Sequence, residues 1–139
     1  MVEQRRLTFP FKELPGTTEL VPRPVVPVTI EGQRTPQYCL LDTGALHNRF
    51  GGWVARAAGI DLDGAPLEVI ALGGFRAEAR RASVLLSVGE ASWVAPVWFC
   101  DPWPLSFHLL GQKGFFDRFE VTLRAARNEV ELIPNPGVS

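Results

Sequence analysis

Apolar and polar positions along this chain alternate with a period of two over several long stretches, and a helical period is rare. Val25-Val-Pro-Val-Thr-Ile-Glu31 is β-branched and stops at Gly32, and Gln37-Tyr-Cys-Leu-Leu41 follows as a second apolar run. Such residues pack well on a pleated surface, so both runs predict strands. Phe75, Ala77 and Ala79 alternate with Arg76, Glu78 and Arg80, which predicts a strand with one solvated face that continues to Val88. Pro66–Leu72 precedes it across Gly73-Gly74, and two extended runs about a double glycine predict a hairpin. Ala91–Phe99, Phe119–Leu123 and Glu129–Ile133 complete the set. Helical signal is confined to Gly52–Ala58, Ala-rich and closed by Gly59, and to Gln112–Phe116, long enough for one turn. The pattern predicts an all-β fold with one or two short helices.

Composition narrows the function classes. The 139 residues are 46% hydrophobic and 21% charged, enough for one packed domain and against a disordered chain. The 14 basic and 15 acidic residues nearly cancel, so no basic footprint for nucleic acid or an anionic membrane surface is present. No apolar stretch approaches the ~18 residues of a membrane-spanning helix, and the charged N-terminus does not lead into a signal-type core. A soluble, cytoplasmic protein is the expectation. Residues 1–24 carry Pro10, Pro15, Pro22 and Pro24 and read as an N-terminal arm, 25–134 as the domain, and 135–139 as a tail.

The most informative stretch is Leu40-Leu41-Asp42-Thr43-Gly44-Ala45. An acid at the end of an apolar strand puts a carboxylate at the edge of a core. Gly44 lets a backbone amide approach it, and the Thr43 hydroxyl can lock the turn. Taken alone, the same residues also describe an Asx-type turn at a strand end.

Together with the rest of the chain, the stretch resembles the retropepsin-like aspartic proteases, the single-domain relatives of the pepsins. Their pattern is apolar-apolar-Asp-Thr-Gly-Ala, then a flap hairpin, then apolar-apolar-Gly near the C-terminus. Here the flap corresponds to Glu68-Val-Ile-Ala-Leu-Gly-Gly-Phe75 and the third element to Leu109-Leu110-Gly111. The resemblance spans about residues 25 to 133 and implies a closed or partly closed β-barrel with a flap hairpin. It also implies an aspartic endopeptidase active as a homodimer on peptide or protein substrates, with no cofactor and no metal. Asp42 would be the catalytic acid, Thr43, Gly44 and Ala45 its supporting loop, and Ile70, Ala71, Leu72, Gly73 and Gly74 the substrate-covering flap. Two carboxylates sharing one proton are needed, this chain has one Asp-Thr-Gly, and two-fold symmetry would supply the second. The rival reading is a dimer of the same fold that binds a peptide or protein partner without cutting it.

Three departures from the pattern are informative. Many viral members have two glycines at the flap tip where this chain has Ile70-Ala71, which moves the expected turn to Gly73-Gly74. An acid-Arg pair found after the Ala and after the later Gly is replaced by Leu46 and Gln112. Ala45 stands where pepsin-like members often carry Ser, and the absent hydroxyl implies a working range at mildly acidic pH, about 4.5 to 6.5.

Other candidates are weaker. Asp61-Leu-Asp-Gly64 lacks the downstream Glu of a calcium loop, and position twelve is Leu72. His47, His108, Cys39 and Cys100 include no closely spaced ligand pair, so satisfied or exposed histidines and buried thiols are expected. Trp93, Trp98 and Trp103 read as core or dimer interface, and Arg80-Arg81 as a solvated strand end.

Overall fold

The computed structural model describes residues 5–14, 18, 20–72 and 74–139. Strands β1 (Leu7–Pro10), β2 (Lys12–Glu13) and β3 (Pro22–Arg23) lie in the N-terminal segment, and β4 (Val25–Ile30), β5 (Gln37–Leu41) and β6 (Asn48–Gly51) follow. Helix α1 (Gly52–Ala58) leads to the long strands β7 (Leu67–Leu72), β8 (Phe75–Val88) and β9 (Ala91–Asp101). The chain ends with β10 (His108–Leu110), β11 (Phe119–Arg124), a 3₁₀ turn over Ala125–Arg127, and β12 (Glu129–Pro134).

The main sheet runs β4-β5-β10-β6-β9-β8-β7. Strand β4 also pairs with β8, through Thr29 opposite Ser87 and Ile30 opposite Leu86. That pairing closes six strands into a barrel and leaves β7 outside as the second arm of a hairpin. Closure removes the unpaired edges an open sheet would present. Alternation sets which side chains fill it: Val26, Val28, Ile30, Val84, Leu86, Val88, Phe50, Phe99 and Leu110 are buried in one cluster. Apolar residues of opposite parity on β8 and β9 face outward, where Ala77, Ala79, Trp98 and Cys100 form a second cluster with Ile70 of β7.

A three-stranded sheet, β1-β12-β11, covers one side of the barrel. Leu7 lies opposite Leu132 and Phe9 opposite Val130, so the N-terminal segment contributes a strand of this sheet. Strands β2 and β3 make a separate two-stranded ribbon.

Helix α1 ends as its sequence predicts. Gly59 adopts a left-handed conformation at φ 71° and its N–H returns to Arg56 and Ala55. Residues 112–118 differ from the expected helical turn. Phe116 and Asp117 donate five residues back, to Gly111 and Gln112. Gly114 at φ +108° breaks the helical course, and its N–H is bound by the Asp117 carboxylate at 2.9 Å. The β7–β8 hairpin turns where the double glycine stands: Leu72 lies opposite Phe75, and Gly74 has φ 91°. Gly73 itself, like Pro15, lies outside the described residues. Cys39 and Cys100 are both buried free thiols. Among the described residues, no helix is long and apolar enough to cross a membrane.

Candidate active site

Parallel pairing of β5 with β10 aligns Leu40 with Leu109 and Leu41 with Leu110, which brings the two apolar motifs side by side. Asp42 extends this register: its N–H donates to the Leu110 carbonyl at 3.0 Å. The chain then turns. The Ala45 N–H returns to the Asp42 carbonyl at 3.1 Å, and the Gly44 N–H donates to Asp42 Oδ1 at 2.9 Å. A Cβ on Gly44 would stand 3.2 Å from that same oxygen, which is the local reason for glycine beside the acid.

The segment after β10 holds the loop from below. Gln112 and Lys113 donate backbone N–H bonds to the Ala45 and Leu46 carbonyls, at 2.9 and 2.8 Å. Gln112 adds a side-chain bond, Nε2 to the Thr43 carbonyl at 2.7 Å. Position 112 thus braces the loop with an amide, and Leu46 is left 52% exposed. Gly111 admits no side chain. Its Cβ would sit 2.5 Å from the His47 carbonyl oxygen and 2.8 Å from that of Ala45, both rigid backbone atoms.

Asn48 is the residue that sequence reasoning missed here. Fully buried, it accepts the Gly111 N–H at 3.0 Å through Oδ1 and donates through Nδ2 to the Pro96 carbonyl at 3.3 Å. One amide thereby ties the Gly111 turn to β9 and leaves neither backbone group unpaired. Its partners lie 63 and 48 residues away, which no local pattern could reveal.

Asp42 opens on a cleft of about 240 Å³ lined by Gly44, Ala45, Leu46, Arg49, Ile70, Ala71 and Leu109. Of the expected flap residues, Ile70 and Ala71 therefore reach the cleft. Leu72 and Gly74 lie on either side of the turn. Thr43 and Gly44 are exposed, so the loop that carries the carboxylate lies at the molecular surface.

The two histidines differ. His108, 1% exposed, accepts the Gly51 N–H at Nδ1 (3.1 Å) and faces Gln37 Oε1 through Nε2 (3.2 Å), while its ring stacks on Phe50. Burial lowers its pKa from 6.5 to about 4. It is a satisfied core histidine. His47 lies beside the cleft with its ring 5.6 Å from Trp98. Burial first, then the charge of Arg49, lowers its pKa. Buried Cys39 has its thiol pKa raised by desolvation, and Cys100 is pushed up to about 11 by the same cause. Both thiols are protonated and unreactive at neutral pH. Asp61 and Asp63 form an Asx turn, Asp63 N–H to Asp61 Oδ1 at 2.9 Å. Among the described residues, no three His, Cys, Asp or Glu side chains are grouped as metal ligands.

Comparison with known proteins locates the fold. No family model matches the sequence, and no curated protein matches it. Among solved structures the chain is similar to a retropepsin-like aspartic protease from Rickettsia conorii, with a TM-score of 0.62 and 13% sequence identity. The superposition covers 100% of this chain and 98% of that one. The closed six-stranded barrel, the outlying hairpin and the full-length superposition together give this chain the retropepsin-like all-β fold.

Proposed function

We propose that the protein is an aspartic endopeptidase active as a homodimer, with Asp42 contributed by each chain. The observation that carries this reading is the Asp42 carboxylate itself, held by the Gly44 amide at the end of β5 and open to a cleft beside the β7–β8 hairpin. Two such carboxylates across a two-fold axis share one proton, because like charges ~3 Å apart do not both ionise. The ionised partner takes a proton from a water as that water attacks the scissile carbonyl carbon. The protonated partner donates to the carbonyl oxygen, which becomes a tetrahedral hydroxyl. Thr43, Gly44 and Ala45 hold the carboxylates in register. Ile70, Ala71, Leu72, Gly73 and Gly74 close over an extended peptide.

Asp42→Asn tests the assignment. An amide oxygen still accepts the Gly44 N–H, so the loop persists, but a neutral amide cannot take the proton of water. Cleavage of a random peptide library should fall by about 10²- to 10⁴-fold while the fold is retained. A statine-type inhibitor should suppress the parent activity. Undiminished turnover in Asp42→Asn would put the chemistry elsewhere, and a parent protein that binds peptides without cutting them would favour the binding module.

A further inference from the structure

The cleft beside Asp42 has a cationic wall. Arg49 of β6 lies opposite Trp98 of β9, and Trp98 lies opposite Arg81 of β8. Registered neighbours share a face, so Arg49, Trp98 and Arg81 form a row across the outer surface of the barrel. The Arg81 guanidinium lies 5.6 Å from the Trp98 ring centroid. Next to the row, His47 is bridged to Lys113. His47, Arg81, Trp98 and Lys113 line a second groove of about 330 Å³ with Ser83 and Pro96, while Arg49 lines the cleft beside Asp42.

The charges in this region are unbalanced. Arg6, Arg56, Arg118, Arg124 and Arg127 each pair with a carboxylate. Among the described residues, no carboxylate lies within 4 Å of the cationic atoms of Arg49, Arg81 or Lys113. All three act on His47 as positive charges, and among the described residues Glu68, exposed on β7, is the acid that opposes them there. The Arg49 guanidinium lies against the buried Cys100 thiol, and its Nη1 is buried with no hydrogen-bond partner of its own. Leaving such a donor unmet is costly, and a carboxylate is the acceptor that a guanidinium best matches.

We propose that Arg49, supported by Arg81 and Lys113, is a specificity-determining residue that binds a carboxylate of the peptide lying beside Asp42. The proposal rests on the peptide-binding reading of the cleft and names the substrate class: peptides with an acidic group next to the bond presented to Asp42. The carboxylate belongs either to an internal Glu or Asp side chain or to a chain terminus. Arg49 supplies its hydrogen bonds, and Arg81 and Lys113 extend the positive field along the groove.

The test uses the full chain carrying Asp42→Asn, so that binding is read without turnover. Fluorescently labelled decapeptides, each with Glu or Gln scanned through successive positions, are titrated as C-terminal amides, and the Gln series is repeated with a free C-terminus. At one or two positions the Glu amide should bind about tenfold tighter than its Gln counterpart, and the gap should shrink with salt. If the free-acid Gln peptide instead gains the advantage, the carboxylate is terminal. In Arg49→Gln the discrimination should disappear, Arg49→Lys should restore part of it, and Arg81→Gln should reduce it. Equal binding of all three peptide classes at every position, or a preference unchanged in Arg49→Gln, overturns the proposal. Should Arg49→Gln not fold, the salt dependence and Arg81→Gln decide. Acid discrimination without any cleavage by the parent would keep this subsite and remove the peptidase reading.

Discussion

His108 shows how a single side chain can tie the β5–β10 strand pair beside Asp42 to the stability of the whole barrel. It heads β10, between β5 and β6, with a neutral ring as acceptor to Gly51 and partner to Gln37. Unfolding returns that ring to water, where it titrates near 6.5. Between about pH 6.5 and pH 4 the unfolded chain binds a proton that the folded chain refuses. Stability therefore falls as pH falls through this window and is unaffected by the group above it. The full difference is about 3 kcal/mol. Urea unfolding at stepped pH should show this loss, and His108→Gln should flatten the slope between pH 6.5 and 4. A slope unchanged in His108→Gln would assign the acid lability to other groups. At this scale the candidate site was half legible. Asp42, Thr43 and Gly44 stand together in the chain, so a motif exposes them. Asn48 and Arg49 belong to the same site through partners on β9 and the Gly111 turn, contacts that only the closed barrel creates.

Elements were legible where local chemistry decides them. Helix α1 has Ala residues in its body and a left-handed Gly59 at its end, and β7 and β8 alternate about two glycines, so their residues state the outcome. Strand β1 carries no such statement. Pro10 ends it and Phe9 begins no run, yet it pairs over four residues with β12, more than 110 positions later in the chain. The three residues of β10 are equally silent, since their strand character comes from lying between β5 and β6. The Gln112–Phe116 turn misled for a physical reason: Gly114 takes a positive φ with its N–H on the Asp117 carboxylate, and a Cβ there would collide with Asn48 Nδ2. A long-range contact overrode a local preference.

At the scale of the molecule, the exposed Asp42 loop bears on assembly. Thr43, Gly44 and the apolar Leu46 face outward from a chain that carries one Asp-Thr-Gly. The proposed dimer predicts that activity per chain falls on dilution through the dissociation constant, with sedimentation reporting the matching loss of dimer. A monomer that cleaves at full specific activity would exclude a shared pair. The continuity of β8 has a mechanical consequence of its own. From Glu78 to Val88 this strand is pinned along β9, whereas Phe75–Ala77 and the facing Ile70–Leu72 extend past the end of β9. The hairpin is thus a cantilever whose root is the barrel wall, and only its overhang can bend without breaking the ring. Amide hydrogen exchange should read this division directly, with overhang amides opening at far lower free energy than those of residues 79–88. Equal protection along β8 would mean the hairpin moves with the wall. On the proposed peptidase reading, the reach of this cantilever sets how much of an extended peptide lies covered beside Asp42.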